Sequence, residues 1–121
     1  MPRALLSVHD KTGVVDLARG LANAGWDLVA SRSTAAALRG GGLEVTDIAE
    51  LTGFPPILGH RVVTLHPKVH GGLLADVDDP EHLAELEQYG IEPFQLVVSN
   101  LYPFERDPGI ELIDIGGPTL V

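Results

Sequence analysis

Asp10-Lys11-Thr12-Gly13 and Ser31-Arg32-Ser33-Thr34 are the two stretches of this chain whose residue types and placement suit an anion. Each follows a short apolar run and precedes a segment with helical spacing. Backbone N–H groups at a helix N-terminus point outward and favour negative charge, and Lys11 or Arg32 would add a full positive one. Hydroxyls and a guanidinium ahead of a helix make a phosphate cradle, although the second stretch lacks the glycines of a standard phosphate loop. The same residues also serve as plain helix caps, Asp10 or Thr12 for the first helix and Thr34 for the second.

Arg61 and the run Thr64-Leu65-His66-Pro67-Lys68-Val69-His70-Gly71-Gly72 form a third polar group. Histidines four apart ligate a metal together when they share a helix face. Pro67 and the glycine pair argue against a helix here, and no cysteine or suitably spaced third ligand accompanies them. No metal is expected, and His66 is either packed and hydrogen-bonded or part of a site. Asn100 and Tyr102 leave an apolar run and would reach a cleft. Asp114 sits beside Gly116 and Gly117, which let a ligand approach the backbone or simply make a turn.

The chain that must position these groups has 121 residues, 45% of them hydrophobic but only 5% aromatic. That is one domain by length, with an aliphatic core of the kind that helices make against a parallel sheet. No apolar run approaches the ~20 residues of a membrane span, and the first residues lack the basic, apolar and small-residue pattern of a signal peptide, so none is expected. The cysteine count is zero, which excludes disulfides and thiol chemistry. A cytoplasmic protein is expected. The net charge of −9 argues against a nucleic-acid surface, which requires clustered cations. Of the eight Lys and Arg residues, Lys11, Arg32, Arg61 and Lys68 fall in expected loops, where they could gather around one small anion.

Arg3 to Val8 reads as a buried strand, and Val14, Leu17, Ala18 and Leu21 give the helical repeat that follows, ended by Gly25. Trp26 to Ala30 is a second strand with 31–33 as its exit loop, Ala35 to Arg39 a short helix, and Leu43 to Ile48 a third strand. The 52–56 stretch is a turn because it contains two prolines. Val62 to Leu65 is extended, broken by His66-Pro67. Pro80 to Tyr89 is a helix with proline in its first turn and Gly90 behind it. Phe94 to Ser99 is the last strand, and 113–121 begins a further element. This alternation implies a three-layer α/β domain of Rossmann-like design, with a mainly parallel sheet and right-handed crossovers. Ligands bind such sheets where the loops leave the carboxyl ends of the strands, which is where the polar groups fall.

Taken together, LLSVHDKTG, LTGFPPILGHRVVTLHPKVHGG, NLYPF and DIGGP occur in the order and close to the spacing of one family. Over nearly its whole length the chain resembles the inosine-monophosphate cyclohydrolase domain of bifunctional purine-biosynthesis enzymes, which has the methylglyoxal-synthase-like fold. The resemblance implies closure of a formylated aminoimidazole-carboxamide ribotide to a purine nucleotide with loss of water, without metal or organic cofactor. It implies Lys11, Tyr102 and Asp114 as catalytic residues. Asp10, Thr12, Gly13, Ser31, Arg32, Ser33, Thr34, Arg61, Thr64, His66, Asn100 and Gly116 become the substrate-binding set. By the same analogy the partner is a purine ribonucleotide monophosphate and the assembly a homodimer.

The chain departs from the family in four places. Arg32 and Ser33 stand where the family's phosphate loop has adjacent glycines, and Val63 stands where it has a lysine that it uses in catalysis. The segment between Phe104 and Asp114 is shortened, and Val121 precedes the alanine-rich helix and lysine that complete the family's site; a domain without the transformylase domain is expected. Three expectations follow: a stand-alone cyclohydrolase-like enzyme on the standard ribotide or a close analogue, a nucleotide-binding domain without catalysis, or a fragment of the bifunctional enzyme.

Overall fold

The computed structural model describes residues 2–54, 64, 66–100 and 120. Four strands form one sheet: β1 (Arg3–Ser7), β2 (Asp27–Ala30), β3 (Thr46–Asp47) and β4 (Leu96–Ser99), in the order β3-β2-β1-β4. Every pairing is parallel, with Leu5 opposite Val29 on one side and Val97 on the other. The helices are α1 (Val14–Asn23), α2 (Arg32–Gly40), α3 (Ile48–Thr52), α4 (Pro67–Leu74) and α5 (Pro80–Tyr89).

Strand periodicity divides the core into two. Ala4 and Leu6 of β1 and Leu28 and Ala30 of β2 face α1 and α2, where Val14, Ala18, Ala35 and Leu38 close the packing. Leu5 and Val29 point the other way, onto Ile48 of α3, Val69 of α4 and Leu120. Successive side chains on a strand alternate faces, so the apolar runs of β1 and β2 supply both layers. Leu5, Leu6 and Leu38 are fully buried, each contributing about 2 kcal/mol through lost apolar surface. Small residues at Ala4, Ala18, Ala30 and Ala35 bring helices and sheet close, which suits a core poor in aromatics.

Several expectations need correction. Arg32 and Ser33 are not in a loop. They open α2, whose N-cap is Ser31, while Thr34 is a buried residue inside the helix rather than its cap. The third strand is far shorter than 43–48, because Asp47 caps a further helix, α3, by accepting from the Ala49 N–H. His66-Pro67 starts a helix, although Pro67 and the glycine pair argue against one. The imidazole Nδ1 of His66 accepts the Lys68 N–H, and Pro67 occupies the first turn, where a missing N–H costs nothing. Lys68 therefore lies on a helix. The glycine pair is tolerated for a packing reason: a Cβ on Gly72 would lie 2.7 Å from the Glu92 carbonyl oxygen and 2.9 Å from the Phe94 ring. Leu17 is 46% exposed, so the buried stripe of α1 is narrower than its spacing implied. Pro80–Tyr89 forms as expected, with Asp79 as cap. The expectations for 55–63 and 101–119 lie outside the described residues.

Candidate functional site

In the order β3-β2-β1-β4 the direction of strand addition reverses between β1 and β4. Parallel α/β sheets bind ligands in the crevice outside the carboxyl ends of the strands at such a reversal. Three of the sequence-marked stretches gather at this edge: 10–13 after β1, 31–34 after β2, and Asn100 after β4.

The loop after β1 is organised by its own side chains. Asp10 Oδ1 accepts from the Thr12 N–H at 2.9 Å and from the Thr12 hydroxyl at 2.7 Å. That pair of bonds, the hydroxyl first, holds the Asp10 carboxyl below its ordinary value, with smaller help from His9 and Lys11. Lys11 Nζ turns back to donate to the carbonyl of Val8 at 2.9 Å and that of His9 at 3.3 Å. The ammonium thus sits over the last carbonyls leaving β1, with donor capacity remaining. Gly13 is the N-cap of α1 at φ 75°, a left-handed conformation costly to other residues, and no side chain caps this helix.

Asn100 joins that loop to β4. Its Oδ1 accepts from the His9 N–H at 2.6 Å and the Asp10 N–H at 3.0 Å, and its Nδ2 donates to the Asp10 carbonyl at 2.9 Å. Beside it, Ser99 Oγ is buried without a hydrogen-bond partner among the described residues.

After β2, Ser31 begins α2 without capping it through its side chain. Its hydroxyl donates instead to Thr34 Oγ1 at 3.2 Å. Thr34 Oγ1 in turn accepts the Val8 N–H at 3.3 Å and lies 3.4 Å from the Val8 carbonyl as its donor. The fully buried Thr34 therefore stitches the start of α2 to the end of β1. Arg32 and Ser33, in the first turn, are exposed, and the Arg32 side chain makes no hydrogen bond or ion pair among the described residues. Among the described helices, α3, α4 and α5 carry side-chain caps, whereas α1 and α2, which start at this edge, do not.

Thr64 is buried and His66 caps α4, and among the described residues neither bonds to the 8–13 or 31–34 stretches or to Asn100. Arg61, Tyr102, Asp114 and Gly116 lie outside the described residues, as does Val63. Among the described residues no group of three His, Asp or Glu side chains converges as a metal site, and no helix is long and apolar enough to cross a membrane. Two features escaped the reading of the sequence. One is the Asn100 bridge, which no spacing signals because it spans 90 residues. The other is a cavity of about 730 Å³ at the opposite, amino-terminal edge, bounded by Arg3, Trp26, Asp27, Leu43, Lys68 and Glu92. Arg3 there stacks over Phe94 at 4.6 Å and donates to the Glu92 carbonyl at 2.8 Å, fastening β1 to the approach to β4.

Comparison with known proteins agrees with this architecture. Residues 13–119 match the family model of the MGS-like domain. The bifunctional purine biosynthesis protein PurH of Mycobacterium leprae (strain TN) is 57% identical over 98% of this chain, and that of Mesorhizobium japonicum 58% over the same share. The PurH of Persephonella marina is 51% identical, again over 98%. The chain spans about a quarter of these relatives, 24–25% of their length. A crystal structure of ForH superposes with a TM-score of 0.84 at 39% identity, covering 98% of this chain and 65% of that one.

Proposed function

Since this chain belongs to the MGS-like domain family, and within it is PurH-like, we propose that its part in purine biosynthesis is the ring closure of a formylated aminoimidazole-carboxamide ribotide, or a close analogue, to a purine nucleotide. The observation that supports this most is the pairing of two uncapped helix N-termini, α1 and α2, at the carboxyl edge where Lys11, Arg32 and Asn100 gather. A ribotide monophosphate has a dianionic end for such a site and a polar heterocycle for the crevice between β1 and β4.

In the reaction the carboxamide nitrogen attacks the formyl carbon, forming the new C–N bond. The carboxamide nitrogen gives up one proton and the formyl oxygen takes one up; the resulting hydroxyl then leaves with a second proton as water while the formamide nitrogen loses its proton and the C=N bond forms. Ring closure within one molecule depends on orientation, on a donor for the developing oxyanion and on proton transfer. The α2 N-terminus with Ser31, Arg32 and Ser33 takes the phosphate. Lys11, whose ammonium keeps donor capacity beyond the Val8 and His9 carbonyls, serves the reacting end together with Tyr102 and Asp114. Arg61, Thr64, His66 and Gly116 flank the base. The active unit is a homodimer.

A second reading has its own observation. Val63 replaces the family's lysine and can neither donate a hydrogen bond nor carry charge, which favours nucleotide binding without turnover of the standard substrate. Incubation with the formylated ribotide, followed by the absorbance of the purine product, tests the first reading. Binding of inosine monophosphate without any product would leave only the second.

A further inference from the structure

Asn100 stands among the residues that the family resemblance assigns to substrate binding, yet its amide group is largely occupied inside the protein. Oδ1 has room for two strong hydrogen bonds and receives both, from consecutive backbone N–H groups of His9 and Asp10 at 2.6 and 3.0 Å. One Nδ2 hydrogen goes to the Asp10 carbonyl at 2.9 Å. Two successive N–H groups converging on one acceptor are the arrangement that elsewhere binds an anion. Here an uncharged amide oxygen fills it.

From this geometry we propose that Asn100 is a positioning residue. It fixes the β1–α1 loop at the carboxyl ends of β1 and β4 and leaves the α2 N-terminus to take the ligand's anionic end. The loop has three mutually dependent ties. Asn100 holds the backbone at positions 9 and 10, Asp10 holds Thr12, and Lys11 holds the carbonyls of Val8 and His9. Releasing the first frees the backbone on which the other two are mounted, so Asn100 acts on the ligand through Asp10 and Lys11. The matching fastening at the other end of the same strand pair, Arg3 on Glu92 and Phe94, leaves β1 and β4 anchored when Asn100 is changed. This role rests on the nucleotide-binding reading above for its consequence, but not for its geometry.

The experiment compares the whole chain with Asn100→Ala and Asn100→Asp, reading backbone amide exchange by NMR and inosine-monophosphate affinity by calorimetry. In Asn100→Ala the His9 and Asp10 amides lose their acceptor and exchange on the order of tenfold faster, while Leu5 and Leu6 are unchanged, and affinity falls by about tenfold. Asn100→Asp keeps the acceptor but loses the donor, so both amides stay protected and affinity partly returns. Weakened binding in Asn100→Ala with His9 and Asp10 exchanging as in the parent would overturn the proposal and make Asn100 a direct ligand contact. Absence of inosine-monophosphate binding by the parent chain would remove the nucleotide reading alone, since amide exchange still decides whether Asn100 holds the loop.

Discussion

Thr12 controls the charge of the loop after β1, because its hydroxyl and its N–H both end on Asp10 Oδ1. Thr12→Val removes the hydroxyl, the larger influence on Asp10, and keeps the N–H. The Asp10 carboxyl is therefore expected to titrate closer to its ordinary value, observable in its NMR titration. The sign for the loop follows by linkage. A carboxyl held low in the folded state contributes stability that is complete above the ordinary value near 4 and is lost as pH falls through the lowered one. The parent loop should thus stay ordered to more acidic pH than Thr12→Val. Arg32 offers a different kind of test, since its side chain has no partner to lose among the described residues. Arg32→Ala should leave the melting temperature unchanged and weaken inosine-monophosphate binding roughly tenfold, the scale of one charge-assisted hydrogen bond. Equal affinities in calorimetry would mean that the guanidinium faces solvent in the complex. At Val63 the prediction concerns rate. A missing preorganised donor costs on the order of a hundredfold to a thousandfold. Val63→Lys should raise turnover of the standard ribotide while changing affinity little, less whatever burying the new charge costs. Identical turnover in both forms would show that the lysine is dispensable in this chain.

At the scale of elements, the sequence was most legible where local chemistry and tertiary packing agree. Pro80–Tyr89 carries its cap, its proline and its terminal glycine in consecutive positions, and the helix forms over those residues. The strands of the centre, β1 and β2, were visible as apolar runs because both of their faces are covered. Legibility failed at α4, where two helix-disfavouring signals, Pro67 and Gly71-Gly72, have other causes. Proline in the first turn begins a helix as readily as it ends one. Gly72 is required by the approach of Glu92 and Phe94, a contact from 20 residues further along the chain that no local pattern reports. The same contact supplies a prediction. Gly72→Ala gains up to about 1 kcal/mol of helix propensity but forces a backbone carbonyl and an aromatic ring to move, which costs about 1–3 kcal/mol. Net destabilisation is expected in chemical denaturation. At Gly71 the nearest atom is the flexible end of Ile91 at 3.0 Å, so Gly71→Ala should be close to neutral or stabilising. A loss of stability at Gly71 equal to that at Gly72 would show that the close approach is not what selects glycine.

For the molecule as a whole, part of the candidate site was legible because parallel topology brings every βα loop to one edge, so residues far apart in sequence could be assigned to a common place. Asp10, Ser31 and Asn100 do share that edge. What the sequence concealed is the division of labour among them. Thr34 reads as a phosphate-binding hydroxyl and is fully buried against the end of β1, while Asn100 reads as a ligand contact and bonds to the β1–α1 loop. These internal ties make the edge one mechanical unit: β1 is joined to α2 through Thr34 and to β4 through Asn100, and both central strands run into the two core layers. A ligand bound across α2 and the β1–α1 loop therefore cannot be released by opening one loop alone, and its binding energy should appear in global stability. At a hundredfold excess over its dissociation constant a ligand that binds only the folded state adds about 2.7 kcal/mol. For a domain of this length that corresponds to a rise in melting temperature of about 10 °C. Inosine monophosphate should produce such a rise, inosine without its phosphate a much smaller one, and inorganic phosphate alone a small one. The three together separate a site built for the whole nucleotide from an anion hole at α2. A large shift with phosphate and no further gain from the nucleoside would leave the crevice between β1 and β4 without a role in binding. If the rise is specific to the nucleotide and is reduced in Asn100→Ala, the two strand ends are coupled through the ligand, as the fastening of β1 to β4 requires.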